Sequence, residues 1–162
     1  MIRHLVATGF VVHNGSVLLH WHKKVQAWLP PGGHMEKDED PVQTALREVT
    51  EETGIDVRIV RHREPLVIGN LEQVDAPFAV MVEDVSDEKH GAHQHIDFIY
   101  FTRPVGEPGT PDGWVWVSKR DLEMGKTLPS PSGKREPPPE DVIKLGLSAI
   151  EAVSREDALR AP

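Results

Sequence analysis

One segment of this 162-residue chain has both ends of a helix specified by its sequence. Asp40 suits the N-cap, Pro41 suits the first helical position, and Gln43 can complete a capping box with Asp40. Gly54 supplies a residue that ends helices in the left-handed conformation. The spacing therefore predicts a helix over residues 40–53. We expect one face of this helix to pack against another element of the fold, because apolar residues recur with helical periodicity at Val42, Ala45, Leu46 and Val49.

An acidic flank runs beside this apolar face. Three glutamates stand at i, i+3 and i+4, so they share one side of the helix: Glu48, Glu51 and Glu52. One interpretation is a solvated acidic face that Arg47 partly neutralises. The alternative is a site for a hard divalent cation, which prefers oxygen ligands. Gly32-Gly33 and Glu39 favour the second interpretation, because a glycine backbone can approach a ligand closely and offer it a carbonyl.

The segment around the helix also matches a spaced signature. Gly33, five residues, Glu39, seven residues and then the run from Arg47 to Ile55 fill every fixed position of the Nudix box. The chain therefore resembles the Nudix hydrolases. The resemblance implies an α/β (α+β) fold, the Nudix α/β/α sandwich with a mixed β-sheet between helices. The box, residues 33–55, would be its loop–helix–loop catalytic element.

The resemblance also implies a role for each matching residue. Glu51 and Glu52 would be the principal metal ligands, and Glu48 a third ligand or the group that deprotonates the attacking water. The carbonyl of Gly32, just before the box, would also contact the metal, and Arg47 would orient the glutamates. The expected catalytic residues are Glu48, Glu51, Glu52 and Arg47. The expected metal ligands are Glu48, Glu51, Glu52 and Gly32.

The implied activity is hydrolysis of a nucleoside diphosphate linked to another group. We predict a Mg²⁺-dependent pyrophosphohydrolase, with Mn²⁺ as a substitute, that converts a (d)NTP or modified NTP to NMP and pyrophosphate. ADP-ribose, nucleotide sugars and dinucleoside polyphosphates are the alternative substrates. Leu71-Glu72-Gln73 offers neither the proline of many ADP-ribose hydrolases nor the tyrosine of diadenosine polyphosphate hydrolases. A sensor that binds a nucleotide metabolite without hydrolysing it is the alternative, and the complete box argues against it.

A second polar pattern lies on a predicted strand. Alternation puts His93, His95 and Asp97 on one side of it. These residues fit a transition-metal site, a substrate cleft in which Asp97 binds metal or base, or an ordinary half-exposed strand face. We expect His95 and Asp97 to bind substrate, with Lys23 on phosphate and Trp28 stacking on a base. Core packing is the alternative for Trp28 and solvent exposure for Lys23. A purely histidine-based zinc protein is rejected, because no compact ligand motif lies outside residues 93–97.

The remaining pattern predicts one domain over residues 1–162. Asn14-Gly15 indicates a hairpin turn near the start. Further strands are expected at 57–60, 65–68, 78–82, 96–101 and 114–117, and a short helix at 118–122. A proline-rich loop over 126–139 precedes an amphipathic helix from about 140 to 153, followed by a polar, frayed tail.

Composition narrows the partners. Twenty-six acidic and eighteen basic residues give a net charge of −8, which disfavours a nucleic-acid polymer as partner. The absence of cysteine excludes disulfides, thiolate metal sites and the cysteine-dependent isomerase that shares the Nudix fold. No apolar run approaches the roughly 20 residues of a membrane span. We expect a cytoplasmic protein without membrane association that acts on a small-molecule nucleotide, and a homodimer stays open.

Overall fold

A mixed eight-stranded β-sheet with helices on both faces forms the body of the protein in the computed structural model, which describes all 162 residues. The strands of this sheet are β1 (Arg3–His13), β2 (Ser16–His22), β3 (Ala27–Leu29), β4 (Gly32–His34), β5 (Val57–Ile59), β6 (Ala79–Asp87), β7 (Gly91–Pro104) and β8 (Trp114–Ser118). The helices are α1 (Pro41–Thr53), α2 (Lys119–Glu123) and α3 (Glu140–Arg160). A separate two-stranded ladder joins β9 (Leu128–Pro129) and β10 (Arg135–Glu136).

The two long strands β1 and β7 form the centre of the sheet and run parallel. All other strand pairs are antiparallel: β4 and β2 pair with β1, β5 and β6 pair with β7, and β3 and β8 pair with β2. The β1–β2 hairpin turns at Asn14 and Gly15, whose positive φ angles of 47° and 69° confirm the predicted turn. This topology brings β4, which opens the box, beside the start of β1.

Helices α1 and α3 cover opposite faces of the sheet. Val49 of α1 packs with Val11 of β1 on one face, and the helix comes so close that a Cβ on Gly9 would lie 2.8 Å from Val49 Cγ2. On the other face Ile150 of α3 joins a larger cluster around Phe10. The layers confirm the predicted α/β/α sandwich with a mixed sheet.

The ends of α1 follow the sequence rules. The carboxylate of Asp40 accepts a hydrogen bond from the Gln43 backbone at 2.9 Å, and the Gln43 side chain accepts one from the Asp40 backbone at 2.9 Å. Gly54 adopts the left-handed conformation with φ 73°, and its N–H donates to the Thr50 carbonyl. The predicted capping box and glycine stop are confirmed. They set the position of the acidic face.

Two predictions on secondary structure were wrong. Residues 65–68 form no strand: the segment contributes only an isolated bridge from Ile68 to Leu71, and Val67 is 95% exposed, because no neighbouring strand pairs along it. The tail after residue 153 is helical to Arg160 instead of frayed. Glu156 explains the extension, because Arg58 and Arg103 both donate hydrogen bonds to its carboxylate.

The other boundaries differ in length. Strands β6 and β7 run well beyond the predicted segments because they pair with each other from Ala79–Ile99 to Asp87–Gly91. The proline-rich segment 126–139 contains the short β9–β10 ladder. None of the helices has the length and apolar character that crossing a membrane requires.

Candidate active site

Arg47 is the hub of the polar network on α1. Its Nε and Nη2 donate to the two carboxylate oxygens of Glu39, and Nη2 also donates to the His34 carbonyl at 3.0 Å. Its Nη1 donates to Glu48 Oε1 at 2.8 Å and to Glu51 Oε2 at 3.2 Å. A guanidinium has five N–H donors, so every donor of Arg47 is in use. The hydrogen bond from Arg47 holds the pKa of Glu39 at about 2, and this fixed pair ties the loop before α1 to the helix.

Glu52 is linked directly to the backbone of β4 and is less exposed than Glu51. Its Oε1 accepts a 3.0 Å hydrogen bond from the backbone N–H of Gly32, so the strand that opens the box is anchored directly to the helix. Burial raises the pKa of Glu52 to about 7, and the charges of Glu48 and Glu51 add to the effect. Three carboxylates therefore crowd one side of α1, and Arg47 bonds to only two of them.

Gly33 makes room for Glu48. A Cβ placed on Gly33 would lie 2.4 Å from Cδ of Glu48, closer than real contacts allow. The Glu48 side chain, 15% exposed, thus rests against bare backbone while Arg47 holds its Oε1. Because the backbone carries no side chain at this point, β4 and the carboxylate can meet face to face.

His20 is a neighbour of the site that the sequence did not assign. It lies on β2 opposite Trp114 of β8, and its ring stacks on that indole with centroids 4.3 Å apart. Its Nε2 is 4.0 Å from Glu52 Oε2. Burial, together with the nearby His22, lowers the pKa of His20 to about 4, so the imidazole is neutral at pH 7. The neutral imidazole therefore lies beside Glu52 without compensating the negative charge of the carboxylates.

This donor set fits a hard divalent cation. Glu48, Glu51 and Glu52 offer carboxylate oxygens, which Mg²⁺ and Mn²⁺ prefer. Arg47 pairs with Glu48 and Glu51, and no arginine or lysine pairs with Glu52. A bound cation would supply the missing positive charge.

Comparison with known proteins agrees with this geometry. The family model described as NUDIX domain matches residues 3–140. The chain belongs to the Nudix hydrolase family. The predicted enzyme class, a hydrolase of phosphorus-containing anhydrides, is confirmed at the level of the family, whose members use divalent metal ions and act on small nucleotide substrates.

Individual relatives resemble parts of the chain. A probable DHNTP pyrophosphohydrolase of Lactococcus lactis subsp. cremoris is 36% identical over 96 residues, which are 59% of this chain and 51% of the relative. An asymmetrical bis(5'-nucleosyl)-tetraphosphatase of Sus scrofa is 50% identical over 40 residues, or 25% of this chain and 27% of the relative. The chain thus spans about half the length of one curated relative and about a quarter of the other.

A solved structure matches over nearly its whole length. It is a hydrolase of the NUDIX family from Clostridium perfringens, 28% identical, with a TM-score of 0.72. The alignment covers 94% of this chain and 99% of that structure. The two proteins therefore share the fold over nearly the whole of both chains.

The four predicted substrate residues lie in three different parts of the fold. Lys23 is exposed in the turn between β2 and β3. Trp28 is only 3% exposed and packs edge-on against Trp21, so stacking on a base would require its ring to leave the core. His95 and Asp97 lie on β7 and share a face of the sheet with Ile99. This is the face covered by α3, and α1 covers the other face. Their roles stay predictions.

Asp97 occupies an unusual position for a carboxylate. It is 7% exposed, and Thr8 Oγ1 lies within hydrogen-bond distance of both its oxygens, at 3.0 and 2.9 Å. Burial raises the pKa of Asp97 to about 7, and the charges of Glu83 and Asp141 act in the same direction. Thr8 therefore holds the Asp97 carboxyl group in place on the same face of the sheet as His95.

Proposed function

We propose that this protein is a Mg²⁺-dependent pyrophosphohydrolase that cleaves a nucleoside triphosphate, natural or modified, to NMP and pyrophosphate. The observation that carries the proposal is the convergence of Glu48, Glu51 and Glu52 beside the Gly32 backbone. The Lactococcus relative, which bears the name of a pyrophosphohydrolase, supports the same reaction type. Hydrolysis would join the oxygen of water to phosphorus, and the bridging oxygen would leave with pyrophosphate.

The proposed cation would be held by Glu48, Glu51 and Glu52, with the Gly32 carbonyl as a further ligand. When bound, it would neutralise charge on the phosphate oxygens and lower the pKa of a bound water. Mn²⁺ would substitute for it, since both ions take oxygen ligands.

The remaining work falls to residues of the chain itself. Arg47 fixes Glu48 through Oε1, so Oε2 is left to bind the cation or, in the alternative role, to accept the proton of the attacking water. The Gly32 N–H fixes Glu52 in the same way from the opposite side. Because Glu39 anchors Arg47 through two hydrogen bonds, these carboxylates are oriented before any substrate arrives.

Substrate recognition is proposed to use the residues named from the sequence. Lys23 is free to reach a phosphate group from its exposed turn. His95 and Asp97 offer hydrogen-bonding groups to the rest of the nucleotide. Trp28 would contribute only after a rearrangement of the core. A cytoplasmic location and a homodimer stay predictions.

A nucleotide panel tests the proposal. Purified protein is incubated with Mg²⁺ or Mn²⁺ and with NTPs, dNTPs, oxidised NTPs, DHNTP, dinucleoside polyphosphates, nucleotide sugars and ADP-ribose, and the products are separated by chromatography. We expect NMP and pyrophosphate from a triphosphate. Glu52→Gln is expected to lower kcat/KM by about 100-fold or more. The matched control is Glu72→Gln, an exposed glutamate far from the box in sequence, which is expected to leave kcat/KM unchanged.

Three results would overturn the proposal. Binding of nucleotides without any hydrolysis would identify a sensor. Hydrolysis confined to nucleotide sugars, ADP-ribose or dinucleoside polyphosphates would reject the triphosphate substrate. Full activity in Glu52→Gln would reject the assigned site.

A further inference from the structure

Five histidines from separate parts of the chain meet around the start of β1. The cluster consists of His4 on β1, His34 on β4, His90 in the β6–β7 turn, and His93 and His95 on β7. The His4 ring is at the centre, with its centroid 4.7 Å from those of His90 and His93 and 5.3 Å from that of His34. Such a concentration of imidazoles is chemically distinct from the carboxylates on α1, because imidazole favours zinc and other transition metals over Mg²⁺.

His93 is oriented as a metal ligand would be. Its side chain is fully buried, and its Nδ1 lies 2.9 Å from the Gly91 carbonyl. A carbonyl only accepts hydrogen bonds, so Nδ1 carries the proton and Nε2 keeps its lone pair. That Nε2 accepts a hydrogen bond from His95 Nε2 at 3.2 Å, a contact that a bound ion would replace. A ring fixed through one nitrogen by a backbone carbonyl is the usual arrangement for a histidine that binds metal through the other.

His4, the central histidine, has an unsatisfied polar atom. Its Nδ1 is buried and has no hydrogen-bond partner. Buried polar groups are nearly always paired, so an orphan of this kind points to a missing ligand. The ligand atoms of His4, His90 and His93 lie within 4.8 Å of one another, which is close enough for all three to reach one ion.

Asp87 completes the set on the side of the β6–β7 turn. Its Oδ2 lies 3.2 Å from His90 Nδ1 and 3.8 Å from His93 Nε2, and its Oδ1 is held by the His90 backbone N–H at 2.6 Å. Zinc bonds of about 2.0–2.1 Å in a tetrahedron place neighbouring ligand atoms about 3.4 Å apart. The observed separations bracket that value, so small side-chain movements would form the site.

We propose that His4, His90, His93 and Asp87 bind one Zn²⁺ ion that fastens the start of β1 to the β6–β7 turn. A second triad, His4, His34 and His95, shares the central histidine. We prefer the first set because it includes the buried, carbonyl-oriented His93 and an anionic fourth ligand. The proposal is independent of the proposed hydrolase activity, because none of its four residues lies in the Nudix box.

The test uses the 162-residue chain, stripped of metal with a chelator. It is titrated with Zn²⁺ by calorimetry in a buffer containing excess Mg²⁺. Mg²⁺ occupies the box carboxylates, so zinc binding there is suppressed. Bound zinc is counted by elemental analysis. A Co²⁺ complex is examined by visible absorption, which reports tetrahedral coordination. Thermal unfolding with and without Zn²⁺ provides a readout that needs no catalysis.

Matched histidine variants locate the ion. We expect wild type to bind one equivalent of Zn²⁺, and His90→Ala to bind it at least about 10-fold more weakly. His34→Ala, which removes a histidine of the alternative triad only, is expected to bind with wild-type affinity, as is the exposed control His62→Ala. The double variant Glu51→Gln/Glu52→Gln is also expected to keep the zinc equivalent. His90 is chosen because 30% of its side chain is exposed, so its removal leaves the core intact.

Each contrary result overturns the proposal. These results are an absence of saturable zinc binding in wild type, undiminished binding in His90→Ala, loss of binding in His34→Ala, and loss of the zinc equivalent in the double glutamine variant. The first result rejects any zinc site, the next two reject the assigned ligands, and the last places the ion at the box.

Discussion

Replacing Arg47 by lysine tests the central claim about the site, that a five-donor guanidinium sets the geometry of the glutamates. Lysine keeps the positive charge but has three donors and no planar fork. It therefore cannot hold Glu39, Glu48, Glu51 and the His34 carbonyl together. At least two of the five hydrogen bonds must be lost.

The exposure of the partners sets the size of the effect. A hydrogen bond to a charged group contributes about 1.5–3 kcal/mol when shielded, whereas an exposed ion pair contributes about 0.2–1 kcal/mol. The Arg47 side chain is 22% exposed and that of Glu39 is 15% exposed, so each lost bond falls between these limits. Two lost bonds at about 1 kcal/mol each give about 2 kcal/mol. For a chain of this size that lowers Tm by roughly 4–8 °C.

Two measurements check Arg47→Lys. Thermal and urea unfolding report stability, and kcat/KM with Mg²⁺ is expected to fall by about 10–100-fold because the carboxylates lose their orientation. Arg120→Lys is the matched control, since Arg120 is exposed on α2, and it is expected to change neither quantity. A lysine variant with wild-type Tm and wild-type kcat/KM would refute the claim that the five-donor geometry matters. A loss of stability alone would show that Arg47 is only a structural residue.

Three further changes give distinct outcomes. Gly33→Ala is expected to displace the Glu48 carboxylate, because the added Cβ would lie 2.4 Å from Glu48 Cδ. We expect kcat/KM to fall by at least about 10-fold while the circular dichroism spectrum is unchanged. Normal activity in this variant would contradict the close contact. Gly54→Ala forces alanine to φ 73° and should cost about 1 kcal/mol in urea unfolding; an unchanged midpoint would rule out that strain. Glu156→Gln removes a carboxylate whose pKa two arginines lower. The wild-type advantage, about 1 kcal/mol at pH 7, should shrink as the pH falls below 4.5, and an advantage that persists in acid would reject the ion-pair explanation.

The parts of the site that the sequence predicted are those that local rules determine. The caps at Asp40 and Gly54 fix the ends of α1 through bonds spanning four residues or fewer. Once the helix is in place, Glu48, Glu51 and Glu52 share a face by periodicity alone. The full set of Arg47 contacts could not be predicted from local rules. Glu39 and the His34 carbonyl reach Arg47 only after the loop before α1 folds back on the helix.

The parts that could not be predicted depend on strand pairing. The pairing of β2 with β8 places His20 against Trp114, and in this position its Nε2 is 4.0 Å from Glu52 Oε2. No local pattern encodes this register. His4 meets His93 and His95 because β1 and β7 pair in parallel, with His4 directly opposite His95. The sequence showed only the spacing of His93 and His95 along one strand. A search for histidines at the starts of different predicted strands would have found these residues, but it could not have shown which of them meet in the fold.

The charge balance of the site explains why a cation is needed for an anionic substrate. The chain has a net charge of −8, and the nearest strong cation to the box glutamates, Arg47, has all five donors bound to protein oxygens. It has none left for a phosphate. His20, the other basic group beside Glu52, is neutral at pH 7 because burial lowers its pKa to about 4. Without metal, a polyphosphate would therefore meet three carboxylates and no free positive charge on α1. This charge balance supports the proposed cation site, in which Arg47 would orient the carboxylate ligands.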